Sequence, residues 1–61
     1  MLESEVFDIC YNINELILNS QMDTARTEVI KLLDRLNREG KEYSPMVNHV
    51  IREVGLLPYI D

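Results

Sequence analysis

Few residues in this 61-residue chain have the chemistry for catalysis or metal binding. His49 is the single imidazole and Cys10 the single thiol, so together they cannot supply the three or four ligands of a zinc site. Helical projection places His49 opposite its apolar neighbours, which predicts a solvated surface histidine rather than a general base. Cys10 falls within an apolar stripe, which predicts a buried core thiol with a raised pKa.

The acidic residues near the start of the chain do not form a convincing reaction centre. Glu5, Asp8 and Glu15 share one outward helix face without a histidine, which indicates solvated charge rather than metal ligands or an acid–base pair. No GxxxxGK[ST], GxGxxG, CxxC or HExxH motif occurs, so nucleotide and zinc-hydrolase chemistry lack sequence support. We therefore expect no enzymatic activity, no cofactor and no metal in this chain.

One group of basic residues could meet an acidic partner or a phosphate. Lys31, Arg35 and Arg38 lie one or two helical turns apart, but Glu28 and Asp34 interleave with them. Asp34 to Arg38 is an ordinary i,i+4 pair, so we expect a solubilising face. The whole chain has 11 acidic and 6 basic residues and a net charge of −5, which disfavours direct binding to nucleic acid.

The elements that must position these residues are helices. Apolar residues recur at helical spacing and predict an all-α, three-helix unit: a helical hairpin plus a short third helix, with an extended C-terminal tail. The predicted ranges are helix 1 at about 2–18, helix 2 at about 21–39, helix 3 at about 45–54 and a tail at 55–61, in one domain spanning 1–61. No signal peptide or membrane-length apolar run is present, so we expect a cytoplasmic protein without membrane association.

Capping residues mark the predicted helix ends. Ser20 with Asp23 three residues later fits a capping box at the start of helix 2, and Asp23 could also be the N-cap of a slightly later start. Ser44 precedes a proline and gives the clearest helix start. Gly40 and Gly55 suit the left-handed position after helices 2 and 3.

Helix 1 is apolar on two sides. Its main stripe, expected to face inward, consists of Leu2, Val6, Ile9, Cys10, Ile13, Leu16 and Ile17. A second group, Phe7, Tyr11 and Leu18, projects well away from that stripe. The second group either widens the internal core or forms a docking surface for another subunit or domain, and both interpretations remain open at this point.

The end of the chain is also rich in apolar residues. The segment LLPYID at 56–61 would be costly to leave in water, so it either folds back over the helices or leads into further chain. We expect a partner-binding surface built from both apolar regions. Its predicted residues are Phe7, Tyr11, Leu18, Leu56, Leu57 and Tyr59.

Two segments, EVIKLLDRL at 28–36 and especially IREVGLLPYI at 51–60, carry a family resemblance. They resemble the helical leader that precedes the motor core in certain bacterial DEAD/DEAH-type superfamily 2 helicases, some of which belong to anti-phage defence systems. The resemblance implies a longer, ATP-hydrolysing protein of which these residues are the N-terminal segment. The phosphate-binding loop, the DEAD/DEAH box and the arginine finger are absent here, so it implies a structural role only.

The leading hypothesis is a non-enzymatic helical interaction module, the N-terminal accessory segment of a helicase-like protein. It would contact another protein subunit or the rest of its own chain. The alternative is a self-contained small acidic regulator, antitoxin-like or a phage-encoded inhibitor. Such a regulator would form a homodimer through helix 1 and use its acidic face to mimic nucleic acid.

Overall fold

Three helices make up the regular structure of the chain, in a computed structural model that describes residues 1–56. They are α1 (Glu3–Leu18), α2 (Met22–Arg38) and α3 (Pro45–Glu53). The all-α hairpin with a short third helix is confirmed, and each observed helix end lies within one residue of its predicted position. Across residues 1–56, no helix combines the length and the apolar character that crossing a bilayer requires.

The core forms where the three helices meet. Among residues 1–56, eleven apolar side chains are buried there: Cys10, Ile13, Ala25, Val29, Leu32, Leu33, Leu36, Val47, Val50, Ile51 and Val54. A buried aliphatic side chain of this size contributes about 1.5–3 kcal/mol relative to an exposed one. The valines and isoleucine of α3 give this nine-residue helix little intrinsic helicity, so its stability depends on packing against α1 and α2.

α1 is buried less deeply than α2. Only Cys10 and Ile13 of its inward stripe are fully buried. The prediction that Leu2 belongs to this stripe is wrong, because Leu2 is the N-cap, has extended backbone geometry and is 68% exposed. The remaining stripe residues pack half-buried against the core: Val6, Ile9, Leu16 and Ile17.

The ends of α2 and α3 follow the predicted capping pattern. Gly40 and Gly55 have φ angles of 66° and 81°, in the left-handed region that glycine adopts without a Cβ penalty. After α3, the amide of Leu56 donates to the carbonyl of Ile51 at 2.9 Å and the amide of Gly55 donates to Arg52 at 3.0 Å, which is a Schellman motif. α2 ends with the same hydrogen-bond arrangement around Gly40.

α1 also ends in a Schellman motif, but without a glycine. Ser20 occupies the left-handed position with a φ of 62°. Its amide donates to Ile17 at 3.0 Å and the amide of Gln21 donates to Leu16 at 2.8 Å. The predicted capping box is therefore wrong: Ser20 closes α1, and α2 begins after Gln21 without a side-chain cap.

Replacing Ser20 with Gly should stabilise the domain. A non-glycine residue in the left-handed region costs roughly 1–2 kcal/mol of strain, which the glycine variant avoids. Part of this stabilisation is offset because glycine has greater conformational freedom in the unfolded chain. We expect a net gain of about 0.5–1 kcal/mol, seen as a rise of a few degrees in Tm by circular dichroism. Ser20→Ala is the control, since it keeps the strained backbone and should bring no gain. A lower Tm for Ser20→Gly would show that the serine hydroxyl makes a stabilising contact.

Two polar contacts fix α3 at its ends. Ser44 is its N-cap, as predicted, and the Ser44 hydroxyl accepts from the amide of Val47 at 3.4 Å. At the other end, Arg26 Nε donates to the carbonyl of Val54 at 3.1 Å. The guanidinium thus lies near the negative end of the α3 dipole and ties α2 to α3.

Candidate docking surface

The second apolar face of α1 lies on the surface of the domain. Phe7 is 53% exposed, Tyr11 56% and Leu18 71%. Their spacing of four and seven residues places the three side chains on one side of the helix. They therefore do not widen the core, and their role as partner contacts stays a prediction.

This face of α1 borders a groove shared with α3. The groove has a volume of about 210 Å³. We call it the α1–α3 groove. Its walls are formed by Phe7, Tyr11 and Asn14 of α1 and by Met46 and His49 of α3. Aromatic rings and a flexible methionine are side chains that interfaces favour, because they offer large, adaptable apolar contact area.

A larger recess of about 680 Å³ continues from this groove at the start of the chain. Phe7 and Met46 line both spaces, so they lie at the centre of one continuous surface. The N-terminal ammonium of Met1 pairs with Glu39, and Lys41 donates to the carbonyl of Met1. These contacts hold the start of the chain beside the end of α2. The hydrogen bond from the ammonium lowers the pKa of the Glu39 carboxyl below its usual value.

The charge around the groove is negative on the α1 side. α1 contains four carboxylates and no basic residue: Glu3, Glu5, Asp8 and Glu15. Within the part of the chain that the structure describes, these four form no ion pair within 4 Å. Asp8 and Glu15 lie three residues before and four residues after Tyr11, so both flank its exposed ring.

α2, in contrast, neutralises much of its own charge. Three ion pairs link neighbouring turns, at distances of 3.3, 3.4 and 2.8 Å: Arg26–Asp23, Lys31–Glu28 and Arg38–Asp34. The last pair confirms the predicted i,i+4 interaction. Exposed pairs of this kind contribute at most about 1 kcal/mol each, and their main effect is a locally balanced, solvated face. The unbalanced negative charge is therefore on α1.

Cys10 and His49 lie where the sequence predicts them, in the core and on the surface respectively. Cys10 is buried at 1% exposure, and desolvation by burial raises the pKa of its thiol, as predicted. His49 is exposed, and its Nε2 lies 3.7 Å from the Glu53 carboxylate one turn later. Residues 1–56 contain no group of three or more His, Cys, Asp or Glu side chains placed to hold a metal ion.

The predicted partner-binding residues of the C-terminal region are only partly covered by the structure. Leu56 is half-buried and packs against the core. Leu57 and Tyr59 lie outside the described residues. The assignment of all three to a partner surface stays a prediction.

Sequence reasoning missed one wall of the groove. Met46 is 36% exposed and stands opposite Phe7 in both recesses. It directly precedes Val47, so it lies about 100° from the centre of the buried stripe of α3. That position could have marked it as an edge residue, but only the packing of α3 beside α1 shows that this edge faces Phe7.

Fold and surface together define a small all-α domain with an exposed, acid-flanked apolar groove. The chain belongs to the anti-bacteriophage protein B N-terminal domain family, whose model matches residues 1–61. No curated protein and no solved structure matches the chain. The family assignment confirms the anti-phage context and the N-terminal position that the resemblance implied.

Proposed function

We propose that this domain is a non-enzymatic docking module of an anti-phage defence protein. It binds another protein subunit, or a further part of its own chain, through the α1–α3 groove and the adjoining Leu18. The observation that carries the proposal is the exposure of Phe7, Tyr11 and Leu18, half or more each, on one side of α1. The family provides the defence context.

Physical considerations support a partner on this face. Interface cores are enriched in aromatic residues and methionine, and the residues with the largest binding energy cluster in well-packed pockets. A domain of 61 residues is also marginally stable by itself, with a core worth about 3–5 kcal/mol. A partner that binds only the folded state adds to that stability by mass action. Docking would thus serve both recognition and folding.

We further propose that the parent protein of this domain is helicase-like. The support is the resemblance of residues 28–36 and 51–60 to the leader of superfamily 2 helicases, together with the defence context of the family. In such a protein this domain would do no chemistry, since ATP hydrolysis requires motifs that residues 1–61 lack. It would act in the cytoplasm as a packing or docking element beside the motor.

A small acidic regulator acting as a homodimer is the second candidate. The four carboxylates of α1 favour it, because a row of acids can imitate a phosphate backbone. A dimer formed through α1, however, would bring these carboxylates towards their own copies across a two-fold axis. Like charges facing each other are unfavourable, so we rank this candidate below the docking module.

Hydroxyl-radical footprinting tests the docking proposal. The native protein, purified from its own cells, would be oxidised beside the isolated 61-residue chain, and oxidation would be read residue by residue by mass spectrometry. We expect Phe7, Tyr11 and Met46 to be several-fold less oxidised in the native assembly, because a covered interface excludes water. Ile30, 51% exposed on α2, is the control and should be unchanged.

The same digests also test the parent protein. Peptides from a motor core, including a phosphate-binding loop and a DEAD/DEAH box, should come from the same polypeptide as residues 1–61. Equal oxidation of Phe7, Tyr11 and Met46 in the two samples would contradict docking. A native polypeptide that lacks motor peptides would contradict the helicase parent and leave docking untouched.

A further inference from the structure

We infer that the occupant of the α1–α3 groove is a basic amphipathic helix of a protein partner. The inference rests on the proposed docking function and names the chemistry of the segment that would bind. Three observations support it: the length of the apolar face, its side-chain types, and the distribution of charge around it.

The apolar face has the dimensions of a helix-binding site. From Phe7 to Leu18 it follows α1 for eleven residues, or about 16 Å at the helical rise, which corresponds to three turns of a docked helix. From Phe7 to Asn14, α3 forms a second wall through Met46 and His49, so this part of the face is a trough between two helices. An amphipathic helix laid in such a trough inserts residues at i, i+3 or i+4, and i+7.

The charge around the trough selects a basic helix. Asp8 and Glu15 flank Tyr11 on the outer side of α1, and neither forms an ion pair in residues 1–56. On the α3 side the Glu53 carboxylate lies 3.7 Å from Nε2 of His49. Within residues 1–56 it forms no ion pair with a lysine or arginine. Lysines or arginines along the edges of a docked helix would therefore meet carboxylates that the domain leaves unbalanced. Their attraction would raise the association rate and fix the position of the helix along the groove.

The same charges argue against the other occupants. A second copy of this chain would oppose its own α1 carboxylates, and an acidic helix or an anionic lipid surface would be repelled in the same way. Balanced pairs on α2 show that the domain does not carry excess negative charge everywhere. The excess negative charge thus lies on α1, the helix that forms one wall of the groove.

Two designed probes test the inference directly. One is a fluorescent amphipathic helix of leucine and lysine, about 18 residues long to span several turns, and the other has the same leucine face with glutamate replacing lysine. Fluorescence anisotropy with the 61-residue chain should show the lysine probe binding at least about tenfold tighter than the glutamate probe. Added salt should weaken the lysine probe and reduce this difference.

Two variants separate groove binding from general attraction to an acidic protein. Phe7→Ser with Tyr11→Ser keeps the net charge and should abolish binding of the lysine probe, whereas Ile30→Ser on α2 should leave it unchanged. Asp8→Asn with Glu15→Gln should lower its affinity several-fold and flatten its salt dependence. Circular dichroism of each variant checks that the helices are retained. If a variant fails to fold, the comparison of the two probes on the unaltered chain still tests the inference.

Three results would overturn the inference. The first is equal binding of the two probes. The second is binding of the lysine probe to the Phe7→Ser, Tyr11→Ser chain that is as tight as to the unaltered chain. The third is a homodimer of the unaltered chain in sedimentation that Phe7→Ser with Tyr11→Ser dissociates. If the probes fail while footprinting shows a covered groove, docking stands and the basic helix is wrong. If footprinting shows an uncovered groove, the docking function itself is wrong.

Discussion

Replacing Ile13 with Glu is expected to abolish the folded state of this domain. Ile13 is 1% exposed and is one of two fully buried residues of α1. The substitution removes about 1.5–3 kcal/mol of apolar burial and adds the several kcal/mol that a buried, unpaired carboxylate costs. That sum exceeds the roughly 3–5 kcal/mol that a core of this size supplies. Far-UV circular dichroism should show loss of the helical signal at neutral pH.

The control for this variant is Asn12→Glu, which introduces the same charge at an exposed position of α1, one residue away. It should retain the helical signal and a stability within about 0.5 kcal/mol of the unaltered chain. A cooperative thermal transition for Ile13→Glu close to that of the unaltered chain would show that α1 does not pack through this face.

Phe7→Glu combined with Leu18→Glu is expected to leave a folded, helical chain and to destroy partner binding. Both side chains are more than half exposed, so their replacement costs the fold little. At an interface the same change removes a hot-spot aromatic and introduces charge into an apolar contact. We expect the affinity for the native partner to fall by about 30-fold or more, which corresponds to about 2 kcal/mol. Pull-down from the native cells with quantitative mass spectrometry measures the loss.

Ile30→Glu is the matched control for that double variant. Ile30 is 51% exposed, close to the value for Phe7, but it lies on α2 rather than on the α1–α3 groove. It should bind the partner as well as the unaltered chain does. Unfolding of the Phe7→Glu, Leu18→Glu chain would contradict the surface position of these residues.

Helix boundaries were predictable where a residue strongly prefers one position at a helix end. Ser44 before Pro45 marks a helix start in almost any context, and Gly40 and Gly55 suit only the left-handed end position. Ser20 has two uses, as an N-cap and as a tolerated left-handed residue. The three-residue connection after α1 decides between them, because a Schellman closure there leaves no room for a separate cap before α2.

The sequence predicted the α1 side of the candidate surface but not its α3 side. Helical periodicity isolates Phe7, Tyr11 and Leu18 from the inward stripe, since it needs only the geometry of one helix. It could not say whether another helix covers them, and it could not find Met46. Both depend on where α3 packs, which is a property of the whole fold. Leu2 shows the same limit at a helix end, where helical periodicity no longer applies.

Of the functional hypothesis, only the link to phage defence is confirmed. The segments at 28–36 and 51–60 resemble a helicase leader with links to phage defence, and the family confirms the defence part. The sequence already predicted solvated acids on one face of helix 1 and an Asp34–Arg38 pair on helix 2. Only the structure shows that Tyr11, which Asp8 and Glu15 flank, lines a groove with α3. Composition reports a net charge of −5, whereas the structure shows paired charges on α2 and unpaired carboxylates on α1.

The most direct test of the docking surface is phage resistance of cells that carry Phe7→Glu and Leu18→Glu at the native locus. The proposal predicts that phage plate on these cells as efficiently as on cells that lack the gene, while the variant protein is present at its normal level. Cells with Ile30→Glu should remain as resistant as the unaltered strain. Full resistance in the Phe7→Glu, Leu18→Glu cells, with normal protein levels, would contradict the proposal that this face carries the function.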